Sequence, residues 1–398
     1  MSNKVEKTSG IGAFDFFCIG FGAIVGVGWA VSINRWMANC GGPIPAAVGY
    51  ILALVMMIPI ALCYCELVPM LPVAGGGMAF AYKAFGEKVS FISGWAAFGA
   101  FVTIIPWEAI YVTDILSILI PGLKAGNPLY TVAGTDVYLT SIIIGLVFSV
   151  LLFAVNLKGM ASSAMLQKVL CIGLVGAGIL GMVAAVIKFD ASNFLGPVTG
   201  NLYERVMNPA TNELVGMHKS FFGGALAILA SAPFFLAGFE TIPQGVEEAG
   251  GDIANVGKTV VLSVGCACLF YAALLFAFGS AMPWQEFYGL PSPAASNMFK
   301  LVYSGGVGQT LYVIILLGAV AGLFTTWNGF FMASSKLLMS MGRASLVPRV
   351  LAKQTKSGAP INGLIVCLVL SIAGPFLGLG LIDPLTSFSG TAFVLSWT

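Results

Sequence analysis

Residues 20–29, GFGAIVGVGW, and residues 237–245, AGFETIPQG, decide the fold of this chain. Each stretch lies in an apolar segment whose helix is weakened by glycine, and the second stretch adds a charge and a proline. Lipid offers no hydrogen-bond partners to a broken helix, so an irregular backbone persists at membrane depth only where it is buried in protein or lines a cavity. The two stretches therefore predict two discontinuous helices beside a cavity, although the spacing of Gly22 and Gly26 also suits close helix packing.

The composition around these stretches indicates an integral membrane protein. Of the 398 residues, 58% are apolar and only 9% are charged, and the mean hydropathy is +0.96. A soluble domain carries about 25% charged residues, so this chain could not cover a water-facing surface. The net charge of +2 gives no reason to expect a nucleic acid partner.

Ten apolar segments are predicted to be membrane helices, each of which needs about 20 mainly apolar residues. They lie near residues 12–33, 43–66, 90–120, 137–156, 162–188, 220–243, 257–281, 306–340, 361–380 and 384–398, and the last is short. Segments one and six hold the interruptions and take matching positions in two five-helix halves, about 12–188 and 220–398. Interrupted helices in matching positions point to a transporter binding site. We therefore expect one all-α transmembrane domain over residues 1–398.

The basic residues predict the orientation of the chain in the membrane. If the N-terminus is cytoplasmic, two thirds of the 18 lysines and arginines fall in inner loops, as the positive-inside rule requires. We therefore expect a multi-pass protein of the plasma (inner) membrane with a cytoplasmic N-terminus.

Four groups of motifs follow one another along the chain. They are GAIVGVG at 22–28; ELVP at 66–69 with PVAGGG at 72–77; FE at 239–240 with EE at 247–248; and NGFFMASSK at 328–336 with MGR at 341–343 and LVP at 346–348. They resemble the first helix, the loop after helix two, the sixth helix with its following loop, and the eighth helix of the amino acid–polyamine–organocation (APC) superfamily of permeases. The resemblance implies the LeuT-type fold, a 5+5 inverted repeat with discontinuous helices 1 and 6. Helices 11 and 12 of that family would follow and are absent here, while Gly28-Trp29 and Trp107-Glu108 resemble its amine and ethanolamine permeases.

The predicted substrate site lies at the two breaks and on the part of segment three that faces them. Its predicted residues are Ala23, Ile24, Gly26, Val27, Gly28, Trp107, Glu108, Tyr111, Phe234, Phe235, Ala237, Gly238 and Phe239. N–H groups at the start of each half-helix could bind a carboxylate. A carboxylate at Glu108 beside the rings of Trp107 and Tyr111 would suit an ammonium group. The alternative is a buried Glu108 that bonds to a neighbouring helix.

Glu240, Ser334 and Ser335 are the predicted coupling and gating residues. An ionisable residue inside a membrane is by default a functional hypothesis, and burial disfavours the charged form of Glu240. The resemblance implies a gating or proton-linked role for Glu240; the alternative is that it pins the unwound backbone. The two serine hydroxyls could bind sodium beside the first break, as in LeuT-type sodium carriers. Proton-coupled relatives place a lysine of helix five in that space, whereas Lys168 lies near the inner end of segment five here.

These features predict a secondary transporter that moves amino acids or small organic amines by alternating access, as a proton symporter or a substrate exchanger. The alternative is a transporter-like nutrient sensor that binds the same ligand without net transport. Enzyme chemistry, cofactors and metal ions are not expected, because nucleophile–base pairs and phosphate-binding loops are absent and the single histidine, His218, lies in a polar loop. The expected partners are the substrate, a coupling proton in preference to sodium, and membrane lipid.

Overall fold

The computed structural model describes residues 10–120, 122–124, 126–194, 205–207, 214–217, 221–251 and 253–397, and His218 lies outside these ranges. The described residues are mostly helical. The α-helices are α1 (Ala13–Val25), α2 (Gly28–Val31), α3 (Ile33–Cys40), α4 (Pro43–Met70), α5 (Gly77–Phe85), α6 (Glu87–Leu119), α7 (Leu139–Leu157), α8 (Met160–Ile187), α9 (Phe221–Ala227), α10 (Ala232–Leu236), α11 (Thr241–Gln244), α12 (Ile253–Ala281), α13 (Trp284–Tyr288), α14 (Ala294–Val302), α15 (Gly305–Arg343), α16 (Ile361–Leu377) and α17 (Ile382–Trp397). Two antiparallel hairpins lie in loops, β1 (Tyr130–Val132) with β2 (Thr135–Val137) and β3 (Arg205–Met207) with β4 (Leu214–Met217).

The membrane-spanning segments match the ten that the sequence predicts. In the described part of the chain, eight helical stretches are long and apolar enough to span a membrane: Ala13–Val31, Pro43–Met70, Glu87–Leu119, Leu139–Leu157, Met160–Ile187, Ile253–Ala281, Gly305–Arg343 and Leu379–Trp397. Two shorter apolar stretches, Phe221–Ala230 and Ile361–Leu377, account for segments six and nine. The sequence did not predict α5, α13 and α14, because these short helices lie in the connections and have no full-length apolar signal.

Both predicted helix breaks are present. α1 ends at Val25, Gly26 has a φ of 49°, and α2 begins at Gly28. α10 ends at Leu236, and the chain continues through Gly238, which has a φ of 135°. These positive φ angles favour glycine because a Cβ atom would be strained there. A Cβ atom on Gly238 would also lie 2.6 Å from the backbone of Ala23 and Ile24, so the two breaks touch each other.

A tyrosine from a third helix holds the two breaks together. The hydroxyl group of Tyr271, on α12, lies 2.9 Å from the carbonyl oxygens of Ile24 and Val25 and 3.3 Å from that of Phe235. Buried carbonyl groups freed from a helix need a hydrogen-bond donor, and this hydroxyl supplies one to the first or the second break. The sequence analysis missed Tyr271 because nothing in a sequence shows which distant helix faces a break.

The neighbouring helices place the breaks at the centre of the bundle. α1 packs among α8, α12 and α15, while α4 runs along α12. α15 also packs against α6, and α17 covers another face of α6. The middle of α6 therefore faces the two breaks. We call the end of the bundle where α1 begins the N-terminal end, and the opposite end the distal end.

Candidate substrate site

A small cavity lies between the two breaks and α6. Its volume is about 30 Å³, and it is lined by Ala23, Ile24, Val25, Gly26, Val27, Gly28, Ile104, Trp107, Glu108, Phe234, Phe235, Ala237, Thr326 and Phe330. Typical ligand pockets have volumes of roughly 300–1,000 Å³. Side chains around this central cavity must therefore move before it can hold a molecule of amino acid size.

Most of the predicted substrate residues line the central cavity, but Tyr111, Gly238 and Phe239 do not. Tyr111 lines a different cavity, towards the distal end. Gly238 packs against the first break, and its N–H donates to Glu240 Oε2 at 2.8 Å. Phe239 is fully buried against Tyr64, with ring centroids 5.3 Å apart. Each of these three residues has a partner elsewhere in this structure, so the cavity lining does not support their contact with the substrate, which stays a prediction.

Of the residues that the structure describes, Glu108 is the one ionisable residue that lines the central cavity. It lies in the middle of α6, and only 2% of its surface is exposed. Its Oε2 atom has no hydrogen-bond partner among the described residues. A buried polar atom without a partner costs about 1–3 kcal/mol, and more when it is charged. The alternative of a bond to a neighbouring helix thus gains no support at Oε2, and the residue that carries this oxygen lines the cavity.

A layer of aromatic rings separates the central cavity from a larger distal cavity. The distal cavity has a volume of about 420 Å³ and reaches the exposed residues Arg35 and Asp383. Trp107, Phe234 and Phe235 line both cavities. Within the described part of the chain, these three side chains therefore form a single layer between the two cavities.

The two aromatic residues beside Glu108 do not form a cage. Trp107 and Tyr111 are four residues apart on α6, and their rings stack with centroids 5.0 Å apart and an angle of 6° between their planes. Because stacked rings cover each other's faces, they cannot enclose one ammonium group from two sides. The stacked geometry therefore does not support the predicted combination of Glu108 with both rings, and of the two rings only Trp107 lines the cavity with Glu108. Trp107 Nε1 donates to Thr386 Oγ1 at 3.1 Å, which fixes the indole.

Glu240 is bonded to the backbone at the second break. It is buried, with 3% of its surface exposed. Oε2 accepts the N–H of Gly238 at 2.8 Å, and Oε1 accepts the Nε1–H of Trp397. Thr241 Oγ1 adds a bond to the Gly238 carbonyl at 2.6 Å. These contacts are those of the pinning role that the sequence analysis left open as the alternative.

The residues of α15 that face the first broken helix are Thr325 and Thr326, and only Thr326 is in contact through its hydroxyl group. A Cβ atom on Gly26 would collide with Thr326 Oγ1, and one on Gly22 would lie 3.1 Å from the Cβ of Thr325. Ser335, in contrast, packs its backbone against Gly363 of α16. The expected position of Ser334 and Ser335 beside the break is therefore wrong by more than two turns of α15, about 13 Å at 1.5 Å per residue. The sequence does not reveal the level at which α15 crosses α1.

An uncharged amide fills the space beside the first break. Gln167 of α8 is fully buried; its Nε2 donates to the Thr325 carbonyl at 3.0 Å, and its Oε1 accepts Asn328 Nδ2 at 2.9 Å. Asn328 Oδ1 in turn accepts Asn156 Nδ2 at 2.9 Å. Lys168, the next residue, points away and pairs with Asp15 at 2.6 Å. The sequence analysis missed Gln167, although a glutamine within an apolar segment was a usable signal.

The N-terminal end of the bundle is closed by hydrogen bonds and ion pairs. Glu247 accepts Arg343 NH1 at 2.7 and 3.0 Å and the N–H of Ala74 at 3.1 Å. Burial opposes ionisation of Glu247, but Arg343 and the Ala74 amide hold its pKa below the usual value. Lys336 pairs with Glu248. Together these contacts tie the loop after α11 to the end of α15 and to the segment before α5.

The start of α1 belongs to the same closure. Ile11 donates its N–H to the Glu248 carbonyl at 3.0 Å and accepts the N–H of Gly250 at 3.1 Å. The central cavity is thus sealed at the N-terminal end by the start of α1, two loops and α15, and at the distal end by one aromatic layer.

A multi-pass helical protein with a central cavity between two matching broken helices is a transporter of the alternating-access class. Two solved structures share its fold. The structure of MhsT with L-phenylalanine has a TM-score of 0.62 and 14% identity, and covers 96% of this chain and 86% of its own. A Na⁺-coupled sialic acid symporter has a TM-score of 0.56 and 12% identity. This match covers 96% of this chain and 73% of the symporter chain. At these identities the likeness shows the fold alone, which is the expected LeuT-type fold.

Residues 11–398 match the family model described as amino acid permease. The chain therefore belongs to the amino acid permease family, as the resemblance to APC permeases predicted.

Curated relatives are similar along most of the chain. The branched-chain amino acid permease BcaP of Lactococcus lactis subsp. cremoris is 24% identical over 374 residues, 91% of this chain and 75% of the relative. The glutamate/serine transporter AimA of Bacillus subtilis is 25% identical over 387 residues, 92% and 65% respectively. The chloroplastic cationic amino acid transporter 9 of Arabidopsis thaliana is 24% identical over 373 residues, 88% and 59%.

Proposed function

We propose that this protein is a secondary transporter of amino acids that recognises the amino group of its substrate at Glu108. The observation that carries this proposal is that Glu108 lines the central cavity while its buried Oε2 atom has no hydrogen-bond partner among the described residues. An ammonium group offers three donors and a full charge, so it would satisfy this oxygen. The relatives described above are transporters of amino acids, which supports amino acids as the substrate class. Amines without a carboxylate remain a predicted second group of substrates.

The first break is the better candidate for a substrate carboxylate. The N–H of Gly238 at the second break is already donated to Glu240. At the first break, the turn from Val27 to Gly28 lines the central cavity and begins a new helix. N–H groups at the start of a helix favour an anion. A zwitterion would therefore lie with its carboxylate at the first break and its amino group at Glu108.

We propose proton symport or substrate exchange as the transport mode. The amide of Gln167 occupies the space between Gly22 and Thr325 without a charge, which supports a mode that needs no sodium ion there. Glu240 supports a proton-linked mode, because both of its partners are groups that can only donate. A proton on one carboxylate oxygen of Glu240 would weaken the hydrogen bond that this oxygen accepts from Trp397 or Gly238. The second break would then loosen.

We propose that the N-terminal end faces the cytoplasm of the plasma membrane, with the distal cavity as the entrance. The distribution of basic residues supports this orientation. The single aromatic layer over the central cavity supports entry from the distal cavity. Substrate would pass Phe234 and Phe235, and release would require the contacts at the N-terminal end to part.

The test is a ligand panel on purified protein, scored by calorimetry, that compares cationic amines with zwitterionic amino acids. Removing one partner of a buried charged pair costs about 3–5 kcal/mol, so Glu108→Gln should weaken binding of cationic amines by about two to four decades. Zwitterions should be weakened less, because their own carboxylate still lies near the ammonium group. Glu286→Gln, at an exposed glutamate, is the control and should bind like the wild type. Unchanged affinity of a cationic amine for Glu108→Gln would leave Glu108 as a packing residue and contradict the proposal.

A further inference from the structure

A third cavity lies beside the closure at the N-terminal end. Its volume is about 310 Å³, and it lies between α5 and the end of α15. One wall is apolar and includes Leu71, Val73 and Met78. The other wall carries Lys83, Ser340 and Arg343. A cavity with one apolar and one basic wall suits an amphiphile with a negative head group better than it suits an amino acid.

The mouth of this cavity lies at the level of the membrane surface. The spanning helix α4 ends at Met70 and the next spanning helix, α6, begins at Glu87, so the segment between them turns at that surface. Two large apolar side chains flank the segment in the open: Met70 is 75% exposed and Phe85 is 74% exposed. Apolar side chains at this level contact lipid, so the segment that supplies Leu71, Val73, Met78 and Lys83 to the cavity lies at the edge of the bilayer.

The basic wall offers donors that the protein does not use. Among the described residues, no carboxylate forms an ion pair with Lys83. The Ser340 side chain is buried, with 5% exposure, and its Oγ atom has no hydrogen-bond partner within the described structure. Arg343 gives NH1 to Glu247, yet 39% of its side chain is exposed. Two cations and the Glu247 carboxylate leave one net positive charge, which matches a phosphodiester with a single negative charge.

We propose that this cavity binds an anionic phospholipid of the adjacent membrane leaflet. The phosphodiester lies between Lys83 and Arg343 and accepts a hydrogen bond from Ser340 Oγ, and one acyl chain covers the apolar wall. Basic residues at a membrane surface attract anionic lipids. Arg343 also holds Glu247, so the bound lipid touches the contacts that close the N-terminal end.

The test measures lipids retained by the purified protein in native mass spectrometry, after equal amounts of phosphatidylglycerol and phosphatidylcholine with the same acyl chains are added. The wild type should retain phosphatidylglycerol in preference. Lys83→Ala should lower that retention about fivefold, the factor that corresponds to about 1 kcal/mol per basic residue near the surface. Lys83→Gln provides a second variant if the alanine protein does not fold.

Lys88→Ala is the matched control, because Lys88 is exposed on the same surface but does not line the cavity. It should retain phosphatidylglycerol like the wild type. Equal retention of the two lipids, or an equal loss in Lys83→Ala and Lys88→Ala, would overturn the proposal. Displacement of the lipid by millimolar inorganic phosphate would also overturn it, in favour of a soluble anion. The experiment measures bound lipid and not transport, so its outcome does not depend on whether the proposed function is correct.

Discussion

Glu108 and the glycines at the breaks carry most of the chemistry proposed for this site. Among the described residues, Glu108 is the only ionisable side chain at the central cavity, so it determines the charge that the cavity prefers. Gly238 brings the backbones of the two breaks into contact, and Gly26 leaves room for the Thr326 side chain; a side chain at either glycine would prevent this. Charge selection and backbone access thus depend on different residues, and they can be tested separately.

Gly26→Leu should abolish substrate binding and leave a folded, membrane-inserted protein. A side chain at this position would collide with Thr326, and a φ of 49° is strained for leucine. Binding is measured by calorimetry and folding by size-exclusion chromatography. Gly176→Leu is the matched control, because a Cβ atom on Gly176 meets nothing within 4 Å. Normal substrate binding by Gly26→Leu would show that the site is not at this break.

The closure at the N-terminal end depends on loops and helix ends and not on the cavity itself. Glu247 connects α15 to the segment before α5, while Ile11 connects the start of α1 to the loop after α11. Both connections are made by the loop after α11, through the adjacent residues Glu247 and Glu248. This end of the molecule is therefore expected to open as a unit.

Glu247→Gln should open the N-terminal end more often. The Glu247–Arg343 pair is half-exposed, and such pairs contribute about 0.2–1 kcal/mol, so we expect a two- to fivefold rise in alkylation of Cys18. Cys18 lies on α1 and is 1% exposed in the closed structure. The measurement is peptide mass spectrometry after treatment with a maleimide. Glu66→Gln, at an exposed glutamate outside the closure, should label like the wild type.

The same pair predicts how the closure depends on pH. The pKa of Glu247 is lowered, so its contribution is fully present above the usual glutamate pKa of about 4.3 and is lost as the pH falls through the lowered pKa. The ratio of Cys18 labelling between Glu247→Gln and wild type should therefore stay constant from about pH 8 to pH 6. A ratio that shrinks towards one across this range would assign the closure to another titrating group.

Across the whole molecule, the sequence predicts features that depend on local chemistry and misses those that depend on how helices meet. Glycines within apolar segments predict the breaks at Gly26 and Gly238. The matching positions of these segments in the two five-helix halves predict that the breaks form one site. Tyr111 was misplaced because it stacks on its own helix neighbour. The position of Ser334 was wrong because the level at which two helices cross is not encoded locally. Tyr271 was missed for the same reason.

Transport should respond to a proton gradient and ignore sodium. If Glu240 carries the proton, an inward proton gradient should raise amino acid uptake into proteoliposomes, and replacing sodium with choline should change nothing. The glutamine in Glu240→Gln has one acceptor oxygen and an NH₂ group, and it does not titrate. This variant should therefore uncouple transport from pH while still permitting exchange. Sodium-dependent uptake that is indifferent to pH would reject this mode and direct attention to Thr325 and Thr326.

Net flux across a sealed membrane tests the central claim most directly. Purified protein in proteoliposomes should accumulate a labelled amino acid that it also binds, and preloading with the unlabelled substrate should accelerate entry. Glu108→Gln should lose this accumulation for cationic substrates, whereas Glu286→Gln should retain it. Binding of the amino acid without any entry or exchange, in vesicles shown to be sealed, would contradict the account and identify a sensor instead of a transporter.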